Sequence, residues 1–141
     1  MSKPTTSSGE STLQAIRQKL TSDPILISMP AMQKLYAQEA PTNPVTLPPY
    51  AVIDWALGKP DWSTGNSGNV EHVFSIIVYS ATDTEAWANL RKLLDAFDKQ
   101  NLNDPVFSAM YISDQEVGKD SPLVWFATID LTVETTEINN T

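Results

Sequence analysis

His72 is the only histidine in the chain, and imidazole is the side chain best suited to trade a proton near neutral pH. It stands in mid-run beside Phe74, and no partner constellation surrounds it in the sequence. Its expected role is that of a core or interface residue. Asp54 and Asp61 are the nearest thing to a carboxylate pair for acid–base work. Asp54, however, alternates onto the polar side of its segment, and Asp61 belongs to a loop, so both read as solvated. Gly65 and Gly68 flank Asn66 and Ser67, but neither G-x-x-x-x-G-K nor G-x-G-x-x-G is present to cradle a phosphate. No G-x-S-x-G nucleophile elbow occurs. With no cysteine and no His/Asp/Glu set at ligand spacing, the residues build no metal site, no thiolate chemistry and no disulfide. The expectation is a protein without catalytic, cofactor or metal residues, and not an enzyme.

The tryptophans point to contact rather than reaction. Trp55, Trp87 and Trp125 sit in periodic apolar segments, where they fit a core. Trp62 stands alone among small and polar residues in GKPDWSTGNSGNV, residues 58–70. A lone aromatic in such a loop is a typical interface anchor, the alternative being that Trp62 folds back onto its own sheet. The interface candidates are therefore Trp62 with Asp61, Ser63, Thr64 and Asn66, joined by Asp114 and Glu116 from a second polar stretch.

The elements that must position these residues follow from periodicity. Leu13, Ile16 and Leu20 form one stripe, so a helix runs from Thr12 to Leu20. Asp23 caps a second short turn with Pro24 at its first position. From Met29 to Ala40 a loose helical stretch carries Met32, Leu35 and Tyr36 inward. Pro41, Pro44, Pro48 and Pro49 then stiffen an extended connection. The whole 29–49 segment is either a covering flap or an arm lying on a neighbouring subunit. Tyr50 to Leu57 alternates as a strand with one buried face. Glu71 to Ser80 is apolar on both faces, which places it centrally in a sheet. Thr82-Asp83-Thr84-Glu85 reads as a capping box. The helix it opens carries Ala86, Trp87, Leu90, Leu93, Leu94 and Phe97 as its apolar stripe. Val106 to Ile112 is a third strand, residues 113–121 a polar turn, and the strict alternation from Leu123 to Val133 a fourth strand.

The expected fold is α+β, helix-strand-strand-helix-strand-strand. It is a mostly antiparallel four-stranded sheet with helices on one face. Trp87, Leu90, Leu94 and Phe97 should pack on Ile53, Trp55, Trp125 and Ile129. The 141 residues suit one domain, spanning 12–137. A disordered Ser/Thr/Pro-rich start over 1–11 and a frayed tail over 138–141 flank it. The start, MSKPTTSSGE, does not read as a signal peptide, and no apolar run is long enough to span a bilayer.

The charge is −8, from 17 acidic and 9 basic residues. Apart from Arg91-Lys92 the bases are scattered, so no stripe grips phosphates and specific DNA binding is not expected. An acidic surface repels DNA and would suit a face past which DNA slides without sticking. Two acidic sets stand out, Asp114, Glu116 and Asp120 beside the hairpins and Asp54 and Asp130 on the sheet's polar face.

From Leu47 to Phe97 the order of segments resembles the tail-completion proteins of tailed phages, also called tail terminators or head–tail joining proteins. The residues that carry the likeness are Pro49-Tyr50-Ala51-Val52, Asp61-Trp62-Ser63-Thr64, Val78-Tyr79-Ser80 and the Glu85–Phe97 helix. The opening helix, with Asp23-Pro24-Ile25 after it, is similar to the family's start. Segment 29–49 departs from the pattern, being longer and richer in proline. The resemblance implies a structural virion protein of the tail or neck, assembled in the host cytoplasm. It would form a homo-oligomeric, commonly hexameric, ring that caps the tail tube and meets the head–tail connector, with no membrane partner. DNA would cross the lumen without specific binding. Either of the two acidic sets would line that lumen, and the sequence does not choose between them. The alternative from the residues alone is a monomeric or dimeric module that binds a small ligand or peptide between sheet and helices.

Overall fold

The computed structural model describes residues 8–58, 67–97 and 107–138. Among these residues three α-helices and five strands follow one another. Helix α1 (Ser8–Ser22) and the short α2 (Pro24–Ile27) lead through a 3-10 turn (Pro30–Lys34) into β1 (Leu35–Ala37) and β2 (Tyr50–Ala56). After these come β3 (Ser67–Ser80), α3 (Asp83–Phe97), β4 (Phe107–Ser121) and β5 (Val124–Ile138). The strands form one mixed sheet in the order β1-β2-β3-β5-β4. β1 runs parallel to β2, and every other pairing is antiparallel.

The fold class is thus α+β, and the expected central strand is central: β3 lies third of five. The sheet differs from the expected four-stranded one in its first strand. Residues 35–37 are not helical. The helical spacing of Met32, Leu35 and Tyr36 reflects a single 3-10 turn that buries Met32 and then straightens into β1. The chain leaves β1 through Gln38 at φ 68, whose amide still reaches Ile53 O at 2.7 Å.

The second correction is larger. Residues 113–121 are not a turn but the outer half of β4, and the reversal is made by Pro122 and Leu123. An edge strand meets solvent along its free side, so it keeps polar residues and shows no clean alternation. Three register shifts along β4 break the period further. Leu123, expected in the strand, stands in the turn 80% exposed. At the other end β5 holds its pairing to Ile138, the first residue of the expected frayed tail, and 139–141 lie outside the described residues. Helix α1 likewise starts at Ser8 and takes in residues expected to be disordered.

Local signals explain the helices. Asp23 caps α2 as expected, its Oδ1 accepting from the amides of Ile25 at 2.9 Å and Leu26 at 3.4 Å. Thr82 caps α3, its Oγ1 accepting from the Glu85 amide at 3.2 Å. The core joins one side of the helices to one side of the sheet. Ile16, Leu20, Leu26, Leu90, Leu93 and Phe97 cover Ala51, Ile53, Phe74, Ile76, Val78, Ile129 and Leu131.

Trp87 does not belong to that core. It is 52% exposed, and the buried stripe of α3 is Ala86, Leu90, Leu93, Ala96 and Phe97. One residue along a helix is a rotation of about 100°, enough to move an indole from the core stripe to its flank. Truncating a core tryptophan would cost about 3–5 kcal/mol. At this exposed position Trp87→Ala should cost no more than about 1 kcal/mol in denaturant melts. A larger loss would mean that the ring is covered.

Candidate functional site: the open face of the sheet

Strand residues alternate between two unlike faces. On β3, His72, Phe74, Ile76, Val78 and Ser80 are fully buried beneath the helices. Val73, Ser75, Ile77 and Tyr79 between them are half-buried on the other side. Pairing extends that second side across the sheet in rows. One row reads Tyr50–Tyr79–Phe126–Gly118, and the next Tyr36–Val52–Ile77–Thr128–Glu116. The third reads Asp54–Ser75–Asp130–Asp114.

The aromatic end of this face is well ordered by its own packing. The Tyr50 and Tyr79 rings stack at 4.5 Å, and Tyr36 meets Tyr50 edge-on at 6.3 Å. A Cβ on Gly118 would lie 2.8 Å from the Phe126 ring, so glycine leaves room for that ring on the neighbouring strand. Segment 38–46 rises beside the stack and, with Val52 and Ile77 as floor, encloses a groove of about 230 Å³.

Burial pushes the Tyr79 hydroxyl above its ordinary value of 10.0, and the Asp120 carboxylate pushes it further. Tyr50 is raised by burial first, then by Tyr79 and Asp120. Both shifts favour the neutral phenol in the fold. The stability they contribute is complete below the ordinary tyrosine value of 10.0 and is lost as pH rises through the folded-state values. Denaturant melts above that pH should therefore show stability falling, and falling less steeply in Tyr79→Phe. Equal slopes in the two proteins would remove Tyr79 from the account.

In the acidic row, Ser75 Oγ donates to Asp130 Oδ1 at 2.7 Å, and Asp114 accepts from the Gln115 amide at 2.8 Å. Both sets of acidic residues weighed from the sequence lie on this one face, because residues 113–121 are strand. Asp114 and Glu116 are accordingly exposed on β4 and not at a hairpin turn. The other expected interface residues, Asp61, Trp62, Ser63, Thr64 and Asn66, lie outside the described residues.

His72 is a buried strut. Its Nδ1 accepts from the Gly58 amide at 3.0 Å, and Nε2 lies 3.2 Å from Thr135 Oγ1. An Nδ1 that accepts leaves the neutral ring's proton on Nε2, which then donates to Thr135. This joins the exit of β2 to β3 and β5. Gly58 is the partner that the sequence hides, its one signal being a glycine that closes a strand. A second cleft of about 530 Å³ lies between α3 and β4, lined by Leu94, Asp95, Ile112, Ser113, Asp114 and Gln115. Among the described residues no cluster of His, Asp and Glu could hold a metal ion, and no helix is long and apolar enough to cross a membrane. No family model matches the chain, and no curated protein matches it either.

Proposed function

We propose that this chain is a structural assembly protein that works as a ring subunit at the tail–head junction of a tailed phage. It would terminate the tail tube, meet the connector and leave a lumen for DNA. The observation that carries the reading is the one-sided layering. Helices cover one face of the sheet, while the opposite face keeps aromatic and apolar residues half-buried. A surface of that kind suits protein contact. The resemblance supplies the rest, and two of the segments that carry it meet in space as the Tyr50–Tyr79 stack. A subunit of one domain can close a ring through heterologous contacts alone.

The competing ligand-binding reading has the cleft between α3 and β4 in its favour. Its volume falls within the ~300–1,000 Å³ of ligand pockets, but those are lined mainly by apolar and aromatic side chains. Here Leu94 and Ile112 are the apolar members among four polar ones.

Light scattering on the purified chain, followed by electron microscopy, tests the proposal. A ring of six gives six times 15.5 kDa, alone or after addition of tail tubes. A monomer or dimer that never joins tubes would end it. The same preparation is expected to show no measurable affinity for double-stranded DNA at physiological salt. Affinity that falls steeply with added salt would point instead to a basic patch from Arg17, Lys19, Arg91 and Lys92.

A further inference from the structure

Charge is sorted by face in this fold. Asp54, Asp114, Glu116, Asp120, Asp130 and Glu134 stand on the open face of the sheet. Lys119 is the single base in the described strands, and it lies on the opposite side, 5.5 Å over the Trp125 ring. Some of the acidic residues oppose one another directly. Asp114 pairs across the strands with Asp130, and Glu71 with Glu134. Like charges in such positions destabilise a sheet. A fold keeps a local cost of this kind where something else uses it.

We propose that the open face of the sheet docks a partner protein through a basic surface centred on one arginine, which seats in the groove over Tyr50 and Tyr79. The groove, about 230 Å³, falls below the ~300–1,000 Å³ of small-molecule pockets and takes a single inserted side chain. Its floor and one wall are apolar or aromatic, Glu39 lines it, and the Asp120 carboxylate is near enough to act on both tyrosines. A guanidinium answers both features: its plane stacks on a tyrosine ring while its edge meets a carboxylate in a fork. A lysine ammonium, compact and strongly hydrated, answers the second feature alone. The acidic rows beside the groove then meet the rest of the basic surface. A second copy of this chain complements the face poorly. It carries −8 itself, and its Lys19 is already paired with Asp23 at 2.9 Å. Nucleic acid has the wrong charge.

This inference goes beyond the ring reading and does not depend on it. The test titrates the full chain with an oligoarginine peptide by calorimetry, with oligolysine of equal length as the comparison. Oligoarginine should bind the more tightly, with ring signals of Tyr50 and Tyr79 shifting in NMR spectra. Asp120→Asn and Asp54→Asn should each weaken it about two- to fivefold, as lost partly exposed ion pairs do. Asp83→Asn and Asp95→Asn remove the same charge from exposed sites on α3 and should leave affinity unchanged. Equal losses from both pairs would reduce the effect to net charge and overturn the proposal. So would equal binding of the two peptides, no binding, or salt-sensitive self-association abolished by Asp120→Asn, which would make a second copy the occupant. A monomer that binds oligoarginine on this face but never joins tail tubes removes the ring reading alone, and a ring that ignores the peptide removes this inference alone.

Discussion

Gly58→Ala should destabilise the protein by about 2–4 kcal/mol, more than most single-methyl additions, through two costs that meet at one position. A Cβ at residue 58 would collide with the carbonyl oxygen of Glu71 and lie 3.1 Å from Val70 Cγ1. A backbone carbonyl held in a sheet cannot step aside as a side-chain tip can, so the strand exit itself must move. Overpacking of that kind costs about 1–3 kcal/mol. Movement of residue 58 also withdraws its amide from His72 Nδ1, and a buried acceptor left without its donor costs about 1–3 kcal/mol more. Gly118→Ala provides the contrast. Its Cβ would crowd the Phe126 ring at 2.8 Å, and that ring is half-buried on the open face and can turn. Urea melts of the two variants should therefore differ clearly, with Gly58→Ala the less stable. A loss below about 1 kcal/mol for Gly58→Ala would show that the β2 exit is pliable. The imidazole nitrogen signals of His72 should shift with it, since its tautomer is set by the amide it accepts.

The elements legible in the sequence are those whose two faces meet unlike surroundings. β5 lies between two strands with helices on one side, so its apolar residues Ala127, Ile129, Leu131 and Val133 recur at every second position and are all buried. The caps at Asp23 and Thr82 are local chemistry and read directly. What was not legible depends on partners distant in the chain. β1 is three residues long and exists because β2 offers it a parallel edge, a fact no window around Leu35 contains. The outer half of β4 is polar because one side of it faces water, and its strand state comes from β5. Trp87 shows a different failure. Both Ala86 and Trp87 fit a helical stripe, and hydrophobicity favours the larger residue, yet geometry turns the smaller one inward. The candidate surface was half legible in the same way. Its acidic members stand out in the sequence, but their union on one face depends on the strand state of residues 113–121.

Phe74→Ala should cost about 3–5 kcal/mol, and Ile77→Ala, three residues further along the same strand, distinctly less. Phe74 is fully buried at the centre of the sheet, between Trp55 on β2 and Leu131 on β5 and beneath the helices. Its removal opens a cavity that a close-packed layer cannot fill, which places the cost at the upper end for aromatic truncation. Ile77 points to the open face, half-buried between Val52 and Thr128. Solvent already reaches that site, so Ala there loses part of one transfer term and leaves no sealed void, about 1–2 kcal/mol. The two variants thus measure the asymmetry on which the functional reading rests. Denaturant melts should separate them by about 2 kcal/mol or more. The order should then reverse in assembly: Ile77→Ala, still folded, should weaken contacts made through the open face, while Phe74→Ala should lower the folded fraction and leave the contacts of the folded remainder unchanged. Equal stability losses would mean that both faces are covered alike and that no free surface remains on the sheet for a partner to use.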